Sequence, residues 1–330
     1  MAVQLRRAAA LGLTALVLYG AAPALVAVLG AWPRVAELQP WWLAAMIATQ
    51  VGALLCLWEL QALTIGTDDR AAVATSQLAG GALGRVIPGG AATAAAAQYG
   101  MLASAGVPRP AVVTGLAAAT MLQVAGLCVL PVLTLPALAL GLGVPNTLLG
   151  TAALGLGIFV VMMALGWVAA RSDAALLWVG RAIVTVGARL PGVPHPPDDL
   201  PRRLLRHRNE LRGRLGERLP LAAGATVGRW LLDLLTLVAA VLAVGADASL
   251  SLVLLAYVGA QLLAQIPVTP GGIGVVEAGL AATLALAGLT AGQAALATLA
   301  YRLASYWLML PAGLAAWVVH RRRMAVNGSS

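Results

Sequence analysis

One stretch of this chain, residues 265–280, interrupts long apolar sequence with residues that break helices. It contains two prolines, four glycines and a single carboxylate, that of Glu277. Proline removes a backbone donor from a helix, and glycine allows backbone conformations that other residues avoid. In a bilayer, such a broken backbone is tolerated only where protein or a water-filled cavity shelters it. The stretch therefore predicts a broken helix inside a membrane, and its carboxylate marks a candidate functional site.

The composition of the chain supports this membrane location. Hydrophobic residues make up 61% of the 330 residues and charged residues only 10%, whereas a soluble domain carries about 25% charged residues. Apolar runs of about 20 residues recur along the sequence, and runs of that length span a bilayer as helices. We therefore predict an all-α polytopic membrane protein rather than a soluble helical protein.

The basic residues are all arginines, and most of them lie in clusters. Seven fall between positions 202 and 218, three form Arg321-Arg322-Arg323, and Arg6 and Arg7 precede the first apolar run. Arginine clusters mark cytoplasmic loops, so we expect the middle loop and both termini in the cytoplasm. Nucleic-acid binding is the alternative for such a stretch. Membrane topology already accounts for the clusters, and we expect no nucleic-acid partner.

The hydrophobic segments divide into two matching sets. Pro-Gly-Gly motifs at 88–90 and 270–272 lie 182 positions apart, and the same offset relates the segments on either side of each motif. The predicted parts are a first span at 8–29, repeat one at about 41–135, a linking span at 147–170, a cytoplasmic basic loop at 171–220 and repeat two at about 221–319. Because a single span links the repeats, the second should be inverted relative to the first.

The short segments beside each Pro-Gly-Gly motif hold about 15–17 residues, or about 22–26 Å of helix, slightly short for a crossing. We therefore expect two re-entrant hairpins that enter from opposite membrane faces, with Pro108 and Gly288 on opposite sides. The break needs backbone freedom and close approach. Leucine at Gly271 and Gly272 should therefore do more damage than leucine at Gly313, which lies near the end of a regular span.

Charged residues within apolar sequence are the main candidates for a site. Arg302 is the only charged residue of the last span, and Glu277 follows the second Pro-Gly-Gly motif by a turn or two. Pairing is the simplest way to hold both charges in a bilayer, so we predict a Glu277–Arg302 pair at a helix N-terminus. The alternative is a buried pair that only fixes helix packing.

Two further pairs are candidates. Arg85 and Glu59 belong to the first repeat, and Arg229 and Asp233 lie one helical turn apart. Glu59 and Arg229 could instead lie near a membrane face and meet water. The complete set of candidate substrate-binding or translocation residues is Glu277, Arg302, Arg85, Pro88, Gly89, Gly90, Pro270, Gly271, Gly272, Gln98 and Tyr301.

Motifs of catalysis and nucleotide binding are absent from the sequence. It contains no P-loop pattern and no Gly-x-Ser-x-Gly, His-Glu-x-x-His or Asp-x-Asp pattern. The acidic pairs at 68–69 and 198–199 could hold a metal-bound sugar nucleotide, but turn formation explains them more simply. We therefore expect no enzymatic activity, no cofactor and no metal site.

The sequence around the second Pro-Gly-Gly motif resembles that of a known protein family. Residues 267–280, followed by Gly288 and Arg302, resemble the family named for the transmembrane region of lysylphosphatidylglycerol synthase. That family includes the flippase half of the bacterial multiple peptide resistance factor. The family's weaker N-terminal motif is similar to residues 85–90 with Gln98, Tyr99 and Gly106. The resemblance implies a lipid-flipping domain with two re-entrant segments and a membrane lipid as substrate.

Two departures narrow this expectation. Alanines and Thr120 stand where the family's first repeat often carries charged residues, and the sequence ends at Ser330 without a soluble aminoacyl-transfer domain. We therefore expect no synthesis of lysyl-lipid by this chain. The expected function is that of a lipid flippase or translocator of the bacterial inner membrane, and a homodimer is left open. The alternatives are a membrane-embedded glycosyl or polyprenyl-phosphate transferase and an ion-coupled carrier for small solutes.

Overall fold

The computed structural model describes residues 38–87, 90–130, 171–187, 199–264 and 274–327, with single residues at 157, 160, 161, 164 and 272. Every regular element among these residues is helical, which confirms the predicted all-α class. The predicted first span at 8–29 and most of the linking span at 147–170 lie outside the described residues. So do four of the candidate site residues, Pro88, Gly89, Pro270 and Gly271.

The helices follow the order of the predicted segments. In chain order they are α1 (Pro40–Ile65), α2 (Arg70–Val86), α3 (Gly90–Ser104), α4 (Arg109–Val129), α5 (Asp173–Gly187), α6 (Leu200–Leu215), α7 (Leu219–Ala243), α8 (Leu250–Ala264), α9 (Val275–Leu286), α10 (Ala291–Arg302) and α11 (Met309–Asn327). A π-helix, Leu303–Trp307, joins α10 to α11.

Among the described residues, four helical stretches are long and apolar enough to cross a membrane. They are Pro40–Ile65, Arg109–Leu127, Leu219–Ala243 and Ala291–Ala325. Large apolar side chains point outward from these stretches, among them Leu55, Leu235 and Leu314, which are 54%, 47% and 64% exposed. Such side chains suit contact with lipid tails. The chain is therefore a multi-pass membrane protein.

The central contact of the bundle joins α1 to α7, which run antiparallel. The hydroxyl oxygens of Thr49 on α1 and Thr236 on α7 lie 2.9 Å apart, and farther along the same contact Cys56 lies against Gly228. α4 packs beside α1, and α10 packs beside α7. Small residues and hydroxyl groups at helix contacts are typical of membrane bundles, where close approach replaces the hydrophobic driving force.

α2 and α3 form a tight antiparallel hairpin. A Cβ atom on Gly84 would lie 2.5 Å from the carbonyl oxygen of Gly90, so glycine sets the distance between the two helices near their connection. α8 and α9 also pack against each other, with Leu263 close to Gly279. The helices of these two pairs are shorter than α1 and α7. For example, α2 has 17 residues and α9 has 12, whereas α1 has 26 and α7 has 25.

The last helix, α11, packs against α2. Gly313 is the point of closest approach: a Cβ atom there would lie 2.3 Å from the Cβ of Ala82 and 2.6 Å from the carbonyl oxygen of Leu78. Gly313 therefore has no room for leucine either, and the comparison with leucine at Gly271 and Gly272 stays a prediction. The position of Gly313 near the end of a regular span was a poor guide, because the space around it is set by a helix more than 220 positions earlier in the chain.

α5 and α6 occupy the predicted basic loop. Arg208 of α6 forms an ion pair with Asp173 at the start of α5, and α6 contacts both α1 and α4. Arg203 pairs with Asp199, with nitrogen and oxygen 2.7 Å apart and both side chains about half exposed. The guanidinium of Arg203 holds the pKa of the Asp199 carboxyl below its usual value by hydrogen bonding. The arginine-rich stretch is thus a helix attached to the bundle.

Candidate functional site

The π-helix Leu303–Trp307 lies near the middle of the stretch Ala291–Ala325. Its extra residue per turn is visible in the bond from the Leu308 amide to the Leu303 carbonyl, at 3.0 Å. Single π turns inside α-helices occur often at functional sites. The turn widens the helix at a level where two charged residues from other helices reach it.

The first of these residues is Glu277, in the first turn of α9. One of its carboxylate oxygens accepts a 2.7 Å hydrogen bond from the Gly274 amide and caps the helix. The other accepts a 2.7 Å bond from Nε of Arg302, and the two side chains are only 19% and 9% exposed. The predicted Glu277–Arg302 pair is therefore confirmed in its geometry. The helix dipole of α9 favours a negative charge at this position.

The second charged residue is Arg85, at the end of α2. Its guanidinium lies 5.5 Å from the centroid of the Tyr306 ring, and that of Arg302 lies 4.4 Å from the same ring. Both distances are within cation–π range. The Tyr306 hydroxyl donates to the backbone carbonyl of Arg85 at 3.0 Å, and Arg85 donates to the carbonyl of Ser305 at 3.4 Å. The α2–α3 hairpin thus reaches the π-helix that directly follows Arg302.

The predicted pair of Arg85 with Glu59 is wrong. Glu59 instead binds Arg70 through two hydrogen bonds of 2.8 and 2.9 Å. Arg70 stands one residue beyond the α1–α2 turn, and the fork of its guanidinium matches a carboxylate. Arg70 is also the nearer of the two arginines in sequence, 11 positions from Glu59.

Asp233 of α7 is the centre of a second polar cluster beside the first. One of its carboxylate oxygens accepts hydrogen bonds from the Tyr257 hydroxyl at 2.6 Å, the Tyr301 hydroxyl at 3.0 Å and the Gln261 amide at 3.0 Å. The predicted pair of Asp233 with Arg229 is wrong. The guanidinium of Arg229 instead stacks on the indole ring of Trp230, 3.7 Å from the ring centroid.

The remaining candidate residues separate into two groups. Tyr301 belongs to the Asp233 cluster and directly precedes Arg302. Gln98 does not join either cluster, because its side chain accepts a 3.4 Å bond from Gln61 and packs within the contact of α1, α2 and α3. Gly90 begins α3 beside Gly84, and Gly272 has a φ angle of 70°, which favours glycine. The described residues contain no group of three or more His, Cys, Asp or Glu side chains placed to hold a metal ion.

Sequence reasoning missed Tyr257 and the role of Asp233. Asp233 and Arg229 were paired because they lie one turn apart on a single helix. The actual donors come from α8 and α10, and nothing local in the sequence identifies them. The available signal was that Tyr257 and Tyr301 are two of only five tyrosines in the chain, each within an apolar segment. A buried tyrosine hydroxyl needs a hydrogen-bond partner.

Comparison with known proteins agrees with this architecture. The model of the family described as the lysylphosphatidylglycerol synthase transmembrane region matches residues 5–313. A UPF0104 membrane protein of Methanothermobacter thermautotrophicus is 32% identical over 87 residues, which are 26% of this chain and 26% of that protein. The match thus spans about a quarter of that relative's length. No solved structure matches the chain. Because the family model covers nearly the whole sequence, the chain belongs to the family of the lysylphosphatidylglycerol synthase transmembrane region.

Proposed function

We propose that this protein moves a polar-headgroup lipid between the leaflets of a bacterial inner membrane, without chemical change to the lipid. One observation carries the proposal. Two short hairpins, α2–α3 and α8–α9, each bring a charged residue to the five residues 302–306 in the middle of one spanning helix. Charged residues within a bilayer mark the path of a polar substrate. Membership of a family named for a lipid-modifying enzyme supports a lipid as that substrate.

We further propose that α1–α4 and α7–α10 are inverted repeats. α4 and α10 begin at residues 109 and 291, which differ by 182 positions, and Gly106 and Gly288 precede them with φ angles of 85° and 104°. α1 packs on α4 as α7 packs on α10. The first helices of the two sets, α1 and α7, run antiparallel, as helices related by inversion must.

The contacts at the ends of the bundle support re-entrant hairpins that open to opposite sides. The open end of α2–α3 lies near the end of α11, because Asp69 is 3.5 Å from Arg323. The open end of α8–α9 lies near the start of α10, because Gln293 on α10 donates to the carbonyl of Val244 at 3.5 Å. As a helix of 12 residues, α9 measures about 18 Å, much less than the roughly 30 Å of a hydrocarbon core.

Cysteine labelling tests this topology. Gly288 has a φ angle of 104°, at which cysteine would be strained, so we place the labels at Pro108→Cys and Ala291→Cys in a Cys56→Ala, Cys128→Ala background. We expect a membrane-impermeant maleimide to label Ala291→Cys in intact cells and Pro108→Cys only after the membrane is opened. This assignment places the arginine clusters and both termini in the cytoplasm. Labelling of both positions from one side would exclude the inverted arrangement.

Reconstitution tests the transport function. Vesicles with the purified chain and fluorescent short-chain lipids of different headgroups are exposed to dithionite, which bleaches only the outer leaflet. We expect faster loss of the protected fluorescence than in protein-free vesicles, with a rate that depends on the headgroup, and recovery of the lipid unmodified. The same rate in protein-free vesicles would contradict the proposal. A covalently altered lipid would favour the transferase alternative.

A further inference from the structure

The charges inside the bundle do not balance. The Glu59–Arg70 pair beside the α1–α2 turn is internally neutral and exposed. Apart from it, the interior of the apolar helices carries three guanidinium groups, those of Arg85, Arg229 and Arg302, against two carboxylates, those of Asp233 and Glu277. The other long apolar stretches, 8–33, 110–170 and 265–276, contain no charged residue that could offset the difference. Protonation of either carboxylate would only increase the positive excess.

The described contacts show which guanidinium groups lack a carboxylate. Arg302 pairs with Glu277. The side chain of Arg85 donates only to backbone carbonyls in the described part of the chain, those of Gly81 at 3.0 Å and Ser305 at 3.4 Å. Arg229 stacks on Trp230. The single excess positive charge therefore lies with Arg85 and Arg229, which come from the two different repeats and have only Asp233 left to offset them.

Polar atoms beside Arg229 are also without partners. Nη1 of Arg229 is fully buried, and it has no hydrogen-bond partner among the described residues. The same holds for both amide atoms of Gln123, on α4. Gln123 and Arg229 belong to one contact, because the indole of Trp230 donates to the backbone carbonyl of Gln123 at 2.9 Å. Buried donors normally find an acceptor, and unpaired ones call for a ligand or ordered water.

A short series of contacts connects Arg85 to Arg229. Arg85 donates to the carbonyl of Ser305. One turn earlier in the same spanning stretch, Tyr301 donates to Asp233, which lies one turn after Arg229 on α7. Positive charge that is only partly balanced is unfavourable in a low dielectric. An anion that reaches this region would remove that cost, and the planar fork of a guanidinium matches the oxygens of a phosphate in particular.

We propose that Arg85 and Arg229, with Gln123 beside them, form a binding site for the phosphate of an anionic lipid headgroup. The inference rests on the proposed translocation, because it assigns the class of lipid that is moved. The acyl chains stay in the membrane, and the phosphate enters between the two repeats. The Glu277–Arg302 pair, internally neutral, lies next to this site through Tyr306.

Titration calorimetry on the full chain in detergent tests the site. The probes are dioctanoyl phosphatidic acid, dioctanoylglycerol, which lacks the phosphate, and inorganic phosphate. We expect phosphatidic acid to bind, dioctanoylglycerol not to bind, and inorganic phosphate to bind far more weakly than the lipid. Arg85→Gln and Arg229→Gln should each weaken phosphatidic acid binding by about tenfold or more, the loss expected for a hydrogen bond to a charged group. Arg203→Gln, an exposed arginine on α6, is the matched control and should bind as the wild type does.

Three results would overturn the assignment. They are unchanged phosphatidic acid affinity in folded Arg85→Gln or Arg229→Gln, equal binding of dioctanoylglycerol, and inorganic phosphate binding as tightly as the lipid, which would point to an anion from solution. Thermal unfolding checks the fold, and Arg85→Gln decides alone if Arg229→Gln does not fold. Lipid translocation without phosphatidic acid binding would reject this site and keep the proposed function. Phosphatidic acid binding without translocation would keep this site and reject the proposed function.

Discussion

Replacing Arg302 by glutamine while Glu277 remains will destabilise the folded protein by on the order of 3–5 kcal/mol, because a buried carboxylate then loses its ion-pair partner. The two groups are 2.7 Å apart and are only 9% and 19% exposed. Glu277→Gln should also destabilise the protein, since it removes the carboxylate from the ion pair with Arg302 and weakens the cap of α9. Thermal or denaturant unfolding in detergent measures both effects.

The double variant Glu277→Gln, Arg302→Gln separates the pair's two contributions. It removes both charges, so most of the lost stability should return. Arg203→Gln is the control for loss of an exposed pair, which contributes about 0–1 kcal/mol. If Arg302→Gln unfolds at the same temperature as Arg203→Gln, the pair is not buried from water in the folded protein.

Leucine at Gly313 will destabilise the contact of α2 with α11, by about 1–3 kcal/mol or more, as overpacking of a close contact does. The reason is steric. A Cβ atom at this position would already lie 2.3 Å from Ala82 and 2.6 Å from the backbone oxygen of Leu78, and backbone cannot move aside as a side chain can. Because α2 also carries Arg85 to the π-helix, transport should fall together with stability.

Gly224→Leu is the matched control for Gly313→Leu. Gly224 lies in the spanning helix α7, and nothing stands within 4 Å of the Cβ position there. Melting temperature and the yield of monodisperse protein in detergent are compared for the two variants. Equal values would mean that α2 and α11 are not in the close contact described above.

Much of the architecture could be predicted from the sequence because membranes constrain it strongly. Apolar length predicted the spanning segments. The Pro-Gly-Gly offset of 182 positions predicted the order of short and long helices that α1–α4 display and that α7–α9 with the long stretch Ala291–Ala325 repeat. The Glu277–Arg302 pair was predictable because few charges are available in the last spans and a lone buried charge is too costly. In each case the high free-energy cost of placing an unpaired polar or charged group in the bilayer left few alternative structures.

The errors have a common physical cause. Glu59 lies near the end of α1, and α2 carries two arginines, Arg70 and Arg85. Which of them pairs with Glu59 depends on the direction in which α2 leaves the α1–α2 turn. The donors to Asp233 come from α8 and α10, and the closeness of Gly313 to α2 depends on helix packing. The π-helix likewise has no local sequence signature here. Packing of distant helices fixes all of these features, and hydropathy does not report on it.

The most direct measurement of lipid translocation through this charged centre is the flip rate of a fluorescent phosphate-headgroup lipid in vesicles containing the Glu277→Gln, Arg302→Gln double variant. The wild-type protein, Arg203→Gln and protein-free vesicles are measured beside it, and only preparations with near-wild-type unfolding temperatures are compared. We expect the double variant to be folded and to move lipid no faster than the protein-free vesicles. A folded double variant that moves the lipid at the wild-type rate would contradict a role for the pair in handling cargo and leave it a structural tie between α9 and α10.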